Sequence, residues 1–126
     1  MVLKLKILED QCSIHRLSPD AKIPEKLFKD SFYSISRTIE ELSIVCSSKT
    51  ELNSERAETG WSCIKILGPL DFSMTGILAD ISLVLAKVKI SIFALSTFDT
   101  DYILIKSDRI EAAKTALQKA GYIFEN

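Results

Sequence analysis

The sequence has little of the material from which most catalytic and cofactor sites are built. It contains four glycines, three cysteines and a single histidine among 126 residues. So few glycines make a phosphate-binding loop hard to build, and no glycine-rich phosphate loop, G-x-S-x-G or H-E-x-x-H motif is present. The lone histidine, His15, falls in a predicted strand, where we interpret it as a half-exposed structural residue. With no nucleophile–base pair visible, we predict no catalytic residue and no cofactor.

The cysteines do not form a pattern that binds metal or forms disulfides. Cys12, Cys46 and Cys63 are an odd number, and none belongs to a CxxC pair. We therefore interpret them as small hydrophobic residues of the core. Cys12 and His15 lie three residues apart in a predicted strand, so they point to opposite faces and cannot share one zinc ion. We predict no metal site.

Excess charge and long apolar runs are also missing. Sixteen basic against seventeen acidic residues give a net charge of −1, whereas a nucleic-acid binder usually carries a basic excess. No apolar run reaches the roughly 18–20 residues that span a bilayer, and the N-terminal segment lacks the apolar stretch of a signal peptide. We expect a cytoplasmic protein that binds neither nucleic acid nor membrane.

The first part of the chain is predicted to be rich in strands. Residues 2–9 and 11–18 alternate in polarity on either side of a short break, which indicates a β-hairpin. One helical turn after Pro24 and strands at residues 32–36 and 41–46 follow. Residues 47–60 are polar and end in Gly60, so we interpret them as a linker or a short surface helix at a domain boundary.

The second part has a regular order of elements, β-α-β-β-α-β, from Trp61 to Phe124. An amphipathic helix extends to about Val88, and residues 90–95 read as a strand buried on both faces. A second helix is followed by Gly121 at the position of a C-terminal cap. This order predicts an α+β, ferredoxin-like βαββαβ fold with two helices on one face of an antiparallel sheet.

Two loops of this second part offer polar groups to a ligand. The first runs from Gly68 to Gly76 and ends at a helix N-terminus, which suits a carboxylate such as that of an amino acid. A glycine at position 76 destabilises the first turn of a helix by about 1 kcal/mol relative to Ala. Close approach of its backbone to a neighbour or ligand and packing against the sheet explain the presence of this glycine equally well. The second loop, Ser96 to Asp101, suits an ammonium or guanidinium group. Its alternative role, a capped hairpin turn, is favoured by spacing alone.

Residues 68–78 (GPLDFSMTGIL) and 90–104 (ISIFALSTFDTDYIL) resemble two long motifs of the ACT domains of the CASTOR and aspartate-kinase-like group. The motifs occur in the right order around one helix, and Trp61 and residues 40–46 also resemble the group's pattern. The resemblance covers most of the chain. It implies a tandem in which residues 1–58 form a truncated ACT-like unit and residues 59–126 a complete ACT domain.

ACT domains bind small molecules, usually amino acids, and regulate metabolism, so the resemblance implies a non-catalytic regulatory module. In the CASTOR arginine sensors the ligand lies between two ACT units. Because this chain has one complete unit, a homodimer is needed to bring both surfaces together. The resemblance assigns ligand binding to Asp71, Met74, Gly76, Ile77, Ser91, Ile92, Thr97, Phe98 and Asp101.

The chemistry of these residues agrees with the resemblance. The N–H groups near Gly76 and Ile77 would hold an α-carboxylate, and Asp101 or backbone carbonyls near Ser91 an α-ammonium. Met74 stands where the CASTOR site has a carboxylate, so a smaller or less basic amino acid fits as well as arginine. The alternative function is a dimerisation or protein-docking module with a vestigial pocket.

Overall fold

The computed structural model describes residues 3–67 and 76–125. The strands in these ranges are β1 (Lys4–Ile7), β2 (Cys12–Leu17), β3 (Ser34–Arg37), β4 (Leu42–Ser47), β5 (Arg56–Ile66), β6 (Phe93–Ser96), β7 (Asp101–Lys106) and β8 (Ile123–Glu125). The helices are α1 (Ile77–Lys87) and α2 (Ile110–Lys119), with 3-10 helices at Glu25–Lys29 and Ser107–Arg109. Neither α-helix is long and apolar enough to cross a membrane. The chain divides into a larger unit, residues 1–9 and 62–126, and a smaller unit, residues 10–61.

The larger unit has the predicted α+β, ferredoxin-like architecture with one strand added. Its strands lie in the order β8–β1–β5–β7–β6, and β6 and β7 form an antiparallel hairpin. Both helices pack against one face of this sheet. The buried core between them consists of Leu5, Ile64, Ile66, Ile81, Leu85, Ile90, Ile103, Ile105, Ala113 and Leu117.

The hairpin predicted for residues 2–18 is wrong. Among the described residues β1 pairs antiparallel with β5, with Leu5 opposite Ile66, and parallel with β8, with Leu5 opposite Phe124. Alternating polarity fixes which face of a strand is buried but not which strand lies beside it. The apolar face of β1 completes the core of the larger unit, so the boundary differs from the division at residues 58 and 59 inferred above.

The helix that precedes β8 ends as the sequence predicts. Gly121 has a φ of +104°, a left-handed conformation that glycine adopts without steric cost. The N–H of Gly121 donates to the carbonyl of Gln118 at 3.0 Å, and the N–H of Tyr122 donates to that of Leu117 at 3.1 Å. These two hydrogen bonds form a Schellman motif, which satisfies carbonyls at the end of α2.

Tyr122 joins the segment after α2 to α1, because its hydroxyl donates to the Asp80 carboxylate in the first turn of α1. Burial, and then the contact with Asp80, raise the pKa of Tyr122 above its ordinary value of 10.0. A phenol that ionises less readily in the folded chain contributes stability that is complete below about pH 10 and is lost as the pH rises further.

We expect Tyr122→Phe to lower the free energy of unfolding by about 0.5–1 kcal/mol at neutral pH, because one partly exposed hydrogen bond is lost. The variant should also lose less stability than the wild type between about pH 9.5 and pH 11. Urea unfolding at each pH measures both effects. Tyr33→Phe is the control, since it retains the ring that contacts Phe28 at a centroid distance of 5.8 Å. Identical pH slopes in the wild type and Tyr122→Phe would contradict the expectation.

The smaller unit is a sheet covered mainly by irregular chain. Its strands lie in the order β3–β4–β2, and β2 pairs on its other side with the first residues of β5. The predicted strands at residues 32–36 and 41–46 are present as β3 and β4, and the helical turn after Pro24 is the 3-10 helix Glu25–Lys29. The buried core of this unit consists of Leu17, Leu27, Leu42, Ile44 and Cys46.

Two further expectations for strands are corrected. The linker predicted at residues 47–60 is shorter, because β5 begins at Arg56 and pairs with β2, Ala57 lying opposite His15. Residues 56–59 are all exposed. Because neither face of this part of β5 is buried, its sequence has no alternation of apolar and polar residues that would have indicated a strand. The strand predicted at residues 90–95 is β6, residues 93–96, which is only half-buried because it pairs with β7 alone among the described strands.

The cysteines and the histidine are all buried. Cys12, Cys46 and Cys63 are free thiols in the interior, as expected of small hydrophobic residues. Cys12 lies opposite Ser47 and His15 opposite Ile44, so Cys12 and His15 project from opposite faces of β2. His15 is 6% exposed, which corrects the expectation of a half-exposed residue.

Candidate functional site

The first part of the predicted site is the beginning of α1. Gly76 is the N-cap and has a φ of +83°, a conformation that side chains rarely adopt. A Cβ added there would meet no atom of the described part of the chain within 4 Å. The backbone conformation therefore explains this glycine, and neither packing against the sheet nor close approach of another group within the chain is needed.

The N-terminus of α1 presents hydrogen-bond donors. Gly76 has no side chain to cap it, and no other side chain of residues 3–67 and 76–125 is recorded as a cap. The N–H of Asp80 donates to the carbonyl of Gly76 at 2.8 Å, which closes the first turn. The preceding N–H groups, of Ile77, Leu78 and Ala79, lie at the positions that have no carbonyl partner within a helix. Together with the helix dipole, they form the kind of environment that attracts a carboxylate.

The second part is the turn between β6 and β7, which the structure shows to be a capped hairpin turn. The N–H of Thr97 donates to the carbonyl of Thr100 at 2.8 Å, and the Thr97 hydroxyl donates to the same carbonyl at 3.0 Å. The hydroxyl of Ser96 donates to Asp101 Oδ1 at 2.5 Å. An ionised carboxylate has about four acceptor positions, so this one bond leaves Asp101 able to accept from an ammonium group.

The turn is anchored to the end of β5. The Thr100 hydroxyl is buried and donates to the carbonyl of Ile66 at 2.5 Å. Ile66 is the last residue of β5, and α1 is the next helix along the chain. Thr100 and Ser96 were not among the predicted site residues. The preference of serine and threonine for turns was the available signal for both, but that preference does not reveal the partner of each hydroxyl.

The structure distributes the remaining predicted residues between core and surface. Ile77 and Ile92 are partly buried and pack against the core of the larger unit. Ser91 is exposed, and Phe98 is 80% exposed at the tip of the turn. The two other predicted residues, Asp71 and Met74, lie outside the described residues. Thr97, Phe98 and Asp101 are therefore three predicted residues that the structure places together at one turn.

Beside this turn, β6 is the last strand of the sheet among the described residues, where it pairs with β7. A strand at the edge of a sheet is a surface on which another strand can pair. No group of three or more His, Cys, Asp or Glu side chains suited to a metal ion occurs within residues 3–67 and 76–125.

Comparisons with known proteins agree with this architecture. The chain is similar to a protein of known crystal structure from Agobacterium tumefaciens, with 39% identity and a TM-score of 0.91 over 99% of this chain and 93% of that one. It shares its fold with the ligand-free regulatory subunit of aspartate kinase from Thermus thermophilus, with 15% identity and a TM-score of 0.67 over 95% of this chain and 99% of that one.

A protein of unknown function from Vibrio cholerae, described as a possible transport protein, also shares the fold, with 16% identity and a TM-score of 0.70 over 93% of this chain and 88% of that one. No curated protein sequence matches the chain. A family model for an N-terminal domain matches residues 10–50. The model for the ACT domain matches residues 56–119, the range from the first residue of β5 to the last of α2. Since that range is 64 of the 126 residues, the chain belongs to the ACT domain family.

Proposed function

We propose that this protein is a non-catalytic regulatory module that binds an amino acid between two copies of the chain. The observation that carries the proposal is the N-terminus of α1 in the larger unit, where the N-cap residue is a glycine and no side chain of the described residues forms a cap. Hydrogen-bond donors and a positive helix end without a side-chain cap are suited to an incoming carboxylate. Membership of the ACT family supports the regulatory role.

The chemistry of an amino acid explains the rest of the proposed site. The N–H groups at Gly76 and Ile77 hold the α-carboxylate, and the Asp101 carboxylate accepts from the α-ammonium. Both charged ends then keep a partner when they are desolvated, which burial requires. The proposed set is that of the sequence analysis, namely Asp71, Met74, Gly76, Ile77, Ser91, Ile92, Thr97, Phe98 and Asp101.

The second copy supplies the other wall of this site. In our proposal the segment at Ser91 and Ile92 of one copy faces α1 and the turn of the other, in a homodimer formed along open sheet edges. The place of β6, directly after Ile92, as the last described strand of the sheet supports this arrangement. We also propose that the smaller unit is a truncated ACT-like unit, which its antiparallel sheet supports. Three buried free thiols favour a reducing compartment such as the cytoplasm.

A second candidate function is a dimerisation or docking module whose pocket no longer binds a ligand. The observation that favours it is the turn itself, where the Asp101 carboxylate already accepts the Ser96 hydroxyl. A turn that satisfies its own polar groups requires no ligand. This function shares the dimer with the first proposal and differs from it in having no response to amino acids.

Thermal unfolding with each of the twenty amino acids at millimolar concentration tests the proposal. A ligand at about 100 times its Kd stabilises the folded state by about 2.7 kcal/mol, which corresponds to a rise in Tm of about 10 °C for a chain of this size. Light scattering on the same samples gives the oligomeric state. If the protein is a dimer and no amino acid raises its Tm, the amino-acid proposal is wrong and the docking function is the one that fits. If the protein is a monomer in every condition, a site formed between two copies does not exist.

A further inference from the structure

Two polar side chains of β2 lie on the face of the smaller unit's sheet that carries its core. In the pairing of β2 with β4, Ser13 is opposite Cys46 and His15 is opposite Ile44. Residues directly opposite each other share a face of the sheet. Ser13 and His15 are accordingly 4% and 6% exposed, and the Ser13 hydroxyl donates to the hydroxyl of Ser48 at 3.3 Å.

An irregular stretch of chain, residues 48–55, lies over this face, and we call it the covering segment. Its ends are fixed by backbone hydrogen bonds to both ends of β2. The N–H of Ser48 donates to the carbonyl of Gln11 at 2.9 Å, and the N–H of Glu55 donates to that of Arg16 at 3.0 Å. The segment contains no helix or strand. Besides one backbone hydrogen bond, from the N–H of Thr50 to the carbonyl of Ser47 at 3.0 Å, side chains hold its middle in place.

Besides the exposed ion pair between Lys49 and Asp10 at 3.4 Å, three side-chain interactions hold the middle of the covering segment. The hydroxyl of Ser54 lies 2.9 Å from Nδ1 of His15. The hydroxyl of Thr50 donates to Asp30 Oδ1 at 2.5 Å, and Leu52 packs against the core of the smaller unit. The bond between His15 and Ser54 is the one among them whose strength depends on a group that titrates near neutral pH.

The surroundings of His15 favour the neutral form of its imidazole. Its Nε2 atom is buried and has no hydrogen-bond partner among the described residues. A neutral imidazole leaves that one polar atom unpaired, whereas a protonated imidazole leaves an unpaired N–H at the same atom and also buries a positive charge, which costs considerably more. Burial accordingly lowers the pKa of His15 below its ordinary value of 6.5.

Within residues 3–67 and 76–125, no charged group is recorded in an ion pair or hydrogen bond with His15. The titratable group on the same face of β4 is the Cys46 thiol, which stays neutral because burial raises its pKa to about 11. Glu55 pairs with Arg16 at 3.2 Å, and Asp30 accepts from Thr50. The other charged residues on the elements packed around His15 are Glu25, Lys26, Lys29, Lys49, Glu51, Arg56 and Glu58.

We propose that His15 and the covering segment form an acid-sensitive latch, in which protonation of the imidazole releases residues 48–55 from the sheet of the smaller unit. The released state hydrates the imidazolium, and it breaks the bond to Ser54 and uncovers the face that carries Ser13. The direction of the pH dependence follows from the linkage between proton binding and closure of the segment. The closed state binds the proton less tightly than the open state, so closure is most stable above about pH 6.5 and weakens as the pH falls.

Hydrogen exchange of the full chain measures the latch directly. Amides of residues 48–55 should exchange faster at pH 5.0 than at pH 7.5 after correction for intrinsic rates, with a rise of up to about 30-fold for one proton taken up near pH 6.5. Amides of β4 in the same sample serve as the internal reference and should change little. The chain has one histidine, so its single imidazole NMR signal reports the protonation of His15 without assignment.

Two variants separate the latch from general acid sensitivity. His15→Leu is neutral at every pH, so exchange of the covering segment should no longer depend on pH. Should that variant fail to fold, His15→Gln, which can still bond to Ser54, should give the same flat profile. Ser36→Ala, at an exposed serine of β3, is the control and should retain the wild-type profile. Equal pH dependence in the wild type and either His15 variant overturns the proposal. An imidazole that titrates near pH 6.5 without faster exchange of the segment also overturns it.

Discussion

Replacing Leu27 with alanine is expected to lower the free energy of unfolding of the smaller unit by about 2–5 kcal/mol. Leu27 is fully buried on the 3-10 helix Glu25–Lys29 and belongs to the core that also contains Leu42 and Ile44. Because this unit has one 3-10 helix and the covering segment over its sheet, little other structure can collapse into the cavity. We therefore expect a loss toward the upper part of that range.

The neighbouring residue is the matched control for this substitution. Phe28 is 54% exposed and contacts the Tyr33 ring at its edge, so Phe28→Ala removes a larger side chain and should cost less than about 1 kcal/mol. Trp61, the chain's one tryptophan, lies in the smaller unit, so its fluorescence in urea reports unfolding there. Equal losses for the two substitutions would mean that Leu27 is not a core residue.

Local patterns in the sequence were sufficient for the order of elements in the larger unit. The helical spacing that includes Ile81 and Leu117 marked α1 and α2, and Gly121 marked the end of α2. The spacing is informative because the buried face of a helix carries apolar residues three or four positions apart. The glycine is informative because the left-handed residue that follows a helix is usually glycine. The βαββαβ order, and with it the fold, follows from such local information.

Pairing between distant segments could not be predicted in this way. Residues 4–7 form a strand as expected, but they lie between β5 and β8 because Leu5 fills the core of the larger unit. The burial of His15 was missed for a related reason. A polar residue that alternates with apolar ones reads as solvent-facing, and the segment that covers His15 has no pattern that indicates where it lies.

The candidate site shows the same division between local and distant information. The residue types at Gly76 and Asp101 were sufficient to indicate a helix start and an acidic turn. The positive φ of Gly76 and the bond from Ser96 to Asp101 depend on backbone geometry that residue types do not determine. Ligand binding by the set that includes Asp71 and Met74 remains a prediction, and the turn offers the sharpest way to test it.

Substituting Asp101 with asparagine is expected to weaken binding of the amino acid by about 10- to 100-fold. A hydrogen bond between charged groups contributes about 1.5–3 kcal/mol, and the variant removes the negative charge that accepts the α-ammonium. The asparagine side chain keeps an oxygen that can accept the Ser96 hydroxyl, so the hairpin and the ligand-free Tm should change little. Calorimetric titration with the amino acid found in the thermal screen measures the change in Kd.

Asp99→Asn is the matched control because it removes the same charge from an exposed residue of the same turn. If Asp101 binds the ammonium directly, Asp99→Asn should change Kd less than about threefold, since an exposed charge acts through water and salt. Equal weakening by both variants would indicate only a general attraction between the acidic turn and a cation. Unchanged affinity in Asp101→Asn would mean that the ammonium is held elsewhere, as by backbone carbonyls near Ser91, and would remove Asp101 from the proposed site.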